Sequence, residues 1–292
     1  MGTRRRARPL VRVRQGARGP APVHPDPGRG SFGMKRRGLI VIAAASGLGV
    51  GARAQVSDLN DAINKAGRQR MLSQRMAKAW LALVHRTESS AAQPILDRSM
   101  ALFDRQLVEL KAYAPSADIR KTYGELEAAW SEYKSLLVGT RPNRDSAALL
   151  LRTDARVLAL AHQGTVQYEA ASGKPVGKLV NVAGRQRMLS QRMAKFYYAA
   201  TLKVDSTQAS AEIARARSEF LAAMELLRNA PEATNSIRTQ LELADHQWLF
   251  YDMALKEING ASPKALSDMF ITSENLLAVM DRITGLYADL KT

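Results

Sequence analysis

The chain has no cysteine, so it holds no disulfide, no thiolate metal site and no cysteine nucleophile, while staying compatible with an oxidising compartment. Its four histidines, His24, His85, His162 and His246, stand far apart, without the His-x-x-x-His or His-Glu spacing that puts two ligands on one helical turn. No metal site is expected. No apolar run approaches the ~20 residues a helix needs to cross a bilayer, and apolar and polar residues nowhere alternate as they do in a half-buried strand. A nucleophile beside a base and a phosphate-binding loop are also missing, so an enzyme is not expected and no cofactor is implied.

Acids are scarce at one end. Residues 1–54 contain 12 Lys and Arg but a single acid, Asp26, whereas residues 55–292 carry 31 bases against 26 acids. The formal charge of +16, which by itself would suggest a polyanionic partner, therefore belongs mostly to a short leading segment. Residues 1–33 are rich in Arg, Pro and Gly and lack the apolar surface needed to offset ordering entropy. They are expected to be a disordered extension upstream of the true start at Met34. From there Lys35, Arg36 and Arg37 form a basic region, Leu39 to Val50 an apolar one, and Ala52-Arg53-Ala54 a small-x-small cleavage site. Residues 34–54 thus have the form of a signal peptide. The mature chain is expected in the periplasm or outside the cell, without stable membrane insertion and without nucleic acid as a partner. Arg36-Arg37 admits a twin-arginine export route, which the residues after the pair match poorly.

The sequence also repeats itself. Ala66 to Lys78 and Ala183 to Lys195 both read A-G-R-Q-R-M-L-S-Q-R-M-A-K, thirteen residues without a change. Around them the similarity continues in four segments whose apolar residues recur three and four apart, the spacing of one helical face. The first two segments match at an offset of 117 residues, the third at 118 and the fourth at 119, so each slip falls between helices, where a loop absorbs it without rotating a buried face. Connections are expected near Pro94, Pro115 and Pro142, and Gly173-Lys174-Pro175 separates the copies. The expected fold is all-α: two tandem antiparallel four-helix-bundle repeats, residues 55–172 and 173–292, about eight helices in all.

Projected at 100° per residue, the first helix places Asn64, Arg68, Arg75 and Lys78 together on what reads as a solvated polar face. Arg70 is different. It lies on the apolar seam with Ile63, Ala66, Ser73, Ala77, Trp80 and Val84, and Arg187 lies on the matching seam of the second copy. An unpaired buried charge costs several kcal/mol, so each arginine needs a counterpart. With Ala and Ser at the neighbouring seam positions, two helices could approach closely and leave a small polar pocket, to which Gln74 and Gln191 could add amide donors. A guanidinium binds planar oxyanions through parallel hydrogen bonds, so a small anion is one counterpart. The other is a carboxylate of the bundle itself, such as Glu127 or Asp154. Met71, Leu72 and Met76 are expected to pack in a core or groove, and Trp80, Trp130, Trp248, Tyr133 and Tyr251 to anchor the core.

The segment I-N-K-A-G-R-Q-R-M-L-S-Q-R-M-A-K resembles the first-helix motif of the PilJ-type domain of type IV pilus chemotaxis transducers. It is also similar to the periplasmic motif of NarX/NarQ-type nitrate sensors. That resemblance implies an extracytoplasmic sensor bundle which dimerises and holds an anion between two first helices by the arginine before the Met, here Arg70 and Arg187. On this view the ligand set is Arg70, Arg187, Ser73, Ser190, Gln74, Gln191, Gly67 and Gly184. Nitrate or nitrite is the first candidate, and the two copies form an intrachain pseudo-dimer or a homodimer. Arg68, Gln69 and Gln74 depart from the nitrate-sensor pattern and put nitrate itself in doubt. Without a second transmembrane helix or a kinase core, the chain would need a membrane receptor or a pilus or chemotaxis protein as its partner. If instead it is a helical interaction protein with no small ligand, the repeated segment should be an exposed contact surface.

Overall fold

The computed structural model describes residues 55–290. The expected extension and signal peptide, residues 1–33 and 34–54, lie outside the described residues. Eight α-helices follow one another: α1 Leu59–Val84, α2 Ser89–Tyr113, α3 Ala117–Gly139, α4 Arg144–Ser172, α5 Pro175–Thr201, α6 Ser206–Asn229, α7 Asn235–Lys256 and α8 Pro263–Ala288. No strand occurs among the described residues. None of these helices is long and apolar enough to cross a membrane.

Local chemistry sets the boundaries. Side chains of Asp58, Ser116, Asn143, Thr234 and Ser262 accept hydrogen bonds from backbone N–H groups in the first turns of α1, α3, α4, α7 and α8, which satisfies donors a helix start leaves open. Gly173 ends α4 at φ 61°, a left-handed cap that suits glycine, and Pro175 begins α5 at a position where its missing N–H costs nothing. The turns after α1 and α5 share a less obvious feature. Arg86 and Glu88 have φ of 57° and 46°, and Lys203 and Asp205, each 117 residues later, have 57° and 47°. The same strained turn is built twice without glycine. Pro94, expected at a connection, lies instead inside α2. The helix starts a turn before it at Ser89, and only the one backbone donor is lost. Pro115 and Pro142 do fall between helices.

The two offset slips are found in loops. Three residues separate α2 from α3 where five separate α6 from α7, one from the slip and one because α6 ends a residue sooner, and the second slip is absorbed beside a 3₁₀ turn, Glu257–Gly260, between α7 and α8. Within the first repeat α1 packs on α2 and α4, and α3 on α4; within the second α5 packs on α6 and α8, and α7 on α8. The most extensive helix–helix contact of all joins the repeats, α1 against α5.

Candidate functional site

The helices α1 and α5 run in the same direction. Near their N-terminal ends the space above Gly177 is closed by Ile63, whose Cδ1 lies 3.1 Å from where a Cβ would stand. Midway Gly67 faces the Cα of Gly184, and at the far end the His85 ring meets Tyr198 and Thr201. Each of these helices touches its own repeat on one side and the other repeat on the opposite side. Consequently nearly every residue from Ala62 to Ala82 is buried, and the same holds from Val176 to Ala199.

That packing corrects the polar face expected on α1. Lys78 is fully buried, and Arg68 and Arg75 are mostly covered and bound to acids of α8. The helical projection treated α1 as peripheral, with water on one side; the second repeat occupies that side. The repeated segment is equally not an exposed contact surface, since Met71 is buried and the arginines beside it are engaged. Met71, Leu72 and Met76 are core residues, as are Trp80, Trp130, Trp248, Tyr133 and Tyr251.

Arg70 and Arg187 are both completely buried, and each is held by the other repeat. Arg70 donates through Nη2 to Oδ1 and the carbonyl oxygen of Asn181, at 2.7 and 3.3 Å. Arg187 donates to Oδ1 and the carbonyl oxygen of Asn64, both at 2.9 Å. Asn64 and Asn181 are themselves 117 residues apart, so the exchange is reciprocal. The guanidinium groups turn toward one shared space: a Cβ on Gly67 would lie 3.1 Å from Arg70 Nη2 and 3.4 Å from Arg187 Nη2, and one on Gly184 would lie 3.7 and 3.2 Å from the same two atoms. Both glycines admit the guanidinium ends, which a side chain at either position would press aside. The structure therefore brings together Arg70, Arg187, Gly67 and Gly184.

Ser73, Gln74, Ser190 and Gln191 sit one turn further along, with their donors committed elsewhere. Ser73 Oγ and Ser190 Oγ donate to the carbonyls of Arg70 and Arg187. Gln74 Nε2 donates to Asp154, and Gln191 Nε2 to the Ser273 carbonyl. The expected carboxylate partners of Arg70 are engaged with other cations, Glu127 with Lys111 and Asp154 with Lys195.

The two arginines differ in their fourth-helix neighbour. Arg187 Nη1 lies 2.6 Å from Asp281 Oδ1. At the equivalent place, 119 residues earlier, Arg70 Nη1 meets His162 Nδ1 at 3.2 Å. A guanidinium only donates, so Nδ1 must accept and the neutral ring carries its proton on Nε2. Burial, Arg70 and Arg185 hold the His162 pKa down to about 4. Burial, reinforced by Arg185 and Arg187, likewise lowers Arg70 to about 9; burial and Arg68 bring Arg187 to about 10 against the pull of Asp281. Both guanidiniums stay charged at neutral pH, with one carboxylate between them. The nearest help for Arg70 is indirect, through Asn181, whose Nδ2 donates to Glu169. The Nε of each arginine has no protein partner, nor does the buried hydroxyl of Tyr123.

Sequence reasoning missed Asn64, Asn181, His162 and Asp281. The asparagines carry a signal in hindsight, since both copies place Asn three residues before Gly67 and Gly184, outside the identical stretch.

Two hollows approach the junction. One, about 850 Å³ at the end of the helices, reaches Asn64 and is rimmed by Asp58, Asp61 and Asp289 against one base, Lys174, a balance that disfavours an anion. The other, about 270 Å³, lies between α4, α5 and α6 and has Arg70 and His162 in its wall, with Arg185, Arg192 and Arg215 around it.

Comparison with known families gives one match. The family model PilJ, described as the N-terminal region of type IV pili methyl-accepting chemotaxis transducers, matches residues 53–159 and again residues 168–267. No curated protein and no solved structure matches the chain.

Proposed function

The chain belongs to the PilJ family of type IV pili methyl-accepting chemotaxis transducer N-terminal domains, and from that premise we propose that it is an exported, non-enzymatic sensor module which holds a small oxyanion at the α1–α5 junction. Nitrate and nitrite are the first candidates. One observation carries the reading: two fully buried guanidiniums converge over Gly67 and Gly184, and only that of Arg187 has a carboxylate against it. Like charges at short range in a low-dielectric interior repel strongly, and a small anion at the junction relieves that repulsion and gives the two Nε groups, which have no protein partner, an acceptor. Because Arg70 is fixed by Asn181 and Arg187 by Asn64, an anion drawing the guanidiniums together also draws α1 and α5 together, and so couples occupancy to helix position.

Thermal unfolding of the full chain against nitrate, nitrite, sulfate, phosphate and chloride tests this. A specific ligand at 100 times its Kd stabilises by about 2.7 kcal/mol. An unchanged melting curve for every anion, or an equal shift in Arg70→Met, rejects it.

A second reading, a helical interaction protein that docks on a pilus, chemotaxis or receptor component, is favoured by α7, which leaves Leu249, Phe250 and Met253 some 60 % or more exposed. Adjacent exposed apolar side chains of this size mark contact surfaces more often than scattered ones do. The two readings are compatible, since a sensor needs a surface through which to report.

A further inference from the structure

The groove between α4, α5 and α6 has a symmetry-related counterpart between α8, α1 and α2, and the two differ in a way that bears on ligands. In the counterpart, Arg68 and Arg75 of α1 reach across to Asp281 and Glu274 of α8, stitching the helices together. At the corresponding places of α4 stand His162 and Ala155. Lacking acids to meet, Arg185 and Arg192 of α5 turn the other way, to Glu219 and Glu212 of α6. The groove stays open as a cavity of about 270 Å³. Its wall includes buried Met188 and Leu189 and half-buried Leu158, and the His162 imidazole and Arg70 line it as well. Since His162 accepts from Arg70 on Nδ1, its Nε2–H remains to donate. Arg185 and Arg192 are neutralised by Glu219 and Glu212, and the exposed Arg215 also lies 3.9 Å from Glu212, which leaves the buried charge of Arg70 as the one without a carboxylate against it.

We propose that this groove is a binding site for a small organic carboxylate with a short apolar body. The carboxylate takes the His162–Arg70 end, where a buried positive charge lacks a carboxylate of its own, and the hydrocarbon lies on Leu158, Met188 and Leu189. A volume of this size is at the lower edge of the usual range for small-molecule pockets and fits a body of a few carbons. The inference goes beyond the oxyanion reading and shares Arg70 and its neighbour His162 with it, while Gly67, Gly184 and Arg187 do not line the groove.

Calorimetric titration of the full chain with butyrate, its neutral amide butyramide, and nitrate separates the possibilities. Butyrate should bind saturably and at least tenfold more tightly than butyramide. Ala155→Glu, which restores the acid found at Glu274, should recapture Arg192, close the groove and weaken butyrate tenfold or more. Ala155 is exposed, so the fold should tolerate the change; Ala159→Leu, also at an exposed position, obstructs the same groove without a charge and should act alike. Absent butyrate binding, equal affinity for butyramide, or unchanged affinity in both variants overturns the inference. A nitrate response without butyrate binding leaves the junction reading standing, and butyrate binding with no thermal response to any of the five inorganic anions rejects the junction reading alone.

Discussion

Arg70 faces a neutral imidazole, His162, at 3.2 Å, where its twin Arg187 faces the carboxylate of Asp281 at 2.6 Å. Two copies of one sequence motif thus differ in whether the buried cation is already compensated. Replacing His162 by Asp should remove the difference. The new carboxylate would neutralise Arg70 as Asp281 neutralises Arg187, and a hydrogen bond to a charged group contributes about 1.5–3 kcal/mol, so the variant should melt no lower than the parent. Its thermal response to nitrate or nitrite should vanish. A melting-temperature series on the two proteins decides this, and an undiminished response in His162→Asp would mean that the open charge of Arg70 is not what attracts the anion.

The glycines give a graded set of substitutions. At Gly67 an alanine Cβ would press on Arg70 Nη2 at 3.1 Å; the neighbour is the end of a flexible side chain, which can give way. Helix propensity favours alanine by about 1 kcal/mol, so Gly67→Ala should fold with stability within about 1 kcal/mol of the parent but lose anion binding as the guanidinium is displaced. Gly124 on α3 has nothing within 4 Å, and Gly124→Ala should simply stabilise. Gly164 is the opposite case, with the buried Tyr123 ring 2.7 Å from its missing Cβ. Overpacking of that kind costs about 1–3 kcal/mol, and denaturant titrations should rank Gly124→Ala above Gly67→Ala and Gly67→Ala above Gly164→Ala in stability.

The helical class was legible, because three- and four-residue apolar spacing survives in every segment, and the one identical stretch lies where the repeats meet, in α1 and α5. Arg70 and Arg187 stood out as cations on an apolar seam. Lys78 and Arg75 were misjudged since a helical projection sees one helix and its own periodicity, whereas their acid, Glu274, comes from a helix nearly two hundred residues away that covers the supposed solvent face. His162 was visible as a histidine and even alignable with Asp281. Its meaning depends on which side chain it touches, and spacing along one chain does not supply that.

Acid should loosen the molecule in two windows. Burial alone would raise Glu274 and Asp281, but Lys78 and Arg75 at the first, and Arg187 and Arg68 at the second, outweigh it and hold both at about 2. Unfolded carboxylates titrate near 4, so the stability these acids contribute is complete above that range and is lost as pH falls toward 2. His162, lowered to about 4 by burial, Arg70 and Arg185, acts at higher pH. The unfolded imidazole takes its proton near 6.5 and the folded one only near 4, so the unfolded state binds more protons between these values and stability declines from about pH 6.5 to 4. Urea midpoints measured from pH 7 to 3 should show the upper decline in the parent and a shallower one in His162→Gln. An identical slope in the two would assign the decline to other groups.

Asp154 and Lys195 form the staple in which α4 of the first repeat meets α5 of the second: Lys195 Nζ lies 2.6 Å from Asp154 Oδ2, and both side chains are essentially inaccessible. Burial lowers the Lys195 pKa, and Asp154 is the group that most opposes this. Removing one member of a buried pair strands the other, a loss of about 3–5 kcal/mol. Asp154→Asn keeps the shape and a polar contact with Gln74 but discards the charge, so it should destabilise by about 3 kcal/mol. Lys195→Met alone should cost less, because Asp154 retains the two contacts from Gln74 Nε2. Replacing both by apolar residues, Asp154→Leu with Lys195→Met, should recover most of the loss, since the desolvation cost of the two ions disappears together with their attraction. A double-mutant cycle in urea measures the coupling. If the single changes prove additive, the two charges do not stabilise one another, and the join between the repeats rests on the α1–α5 packing and the other ion pairs between them.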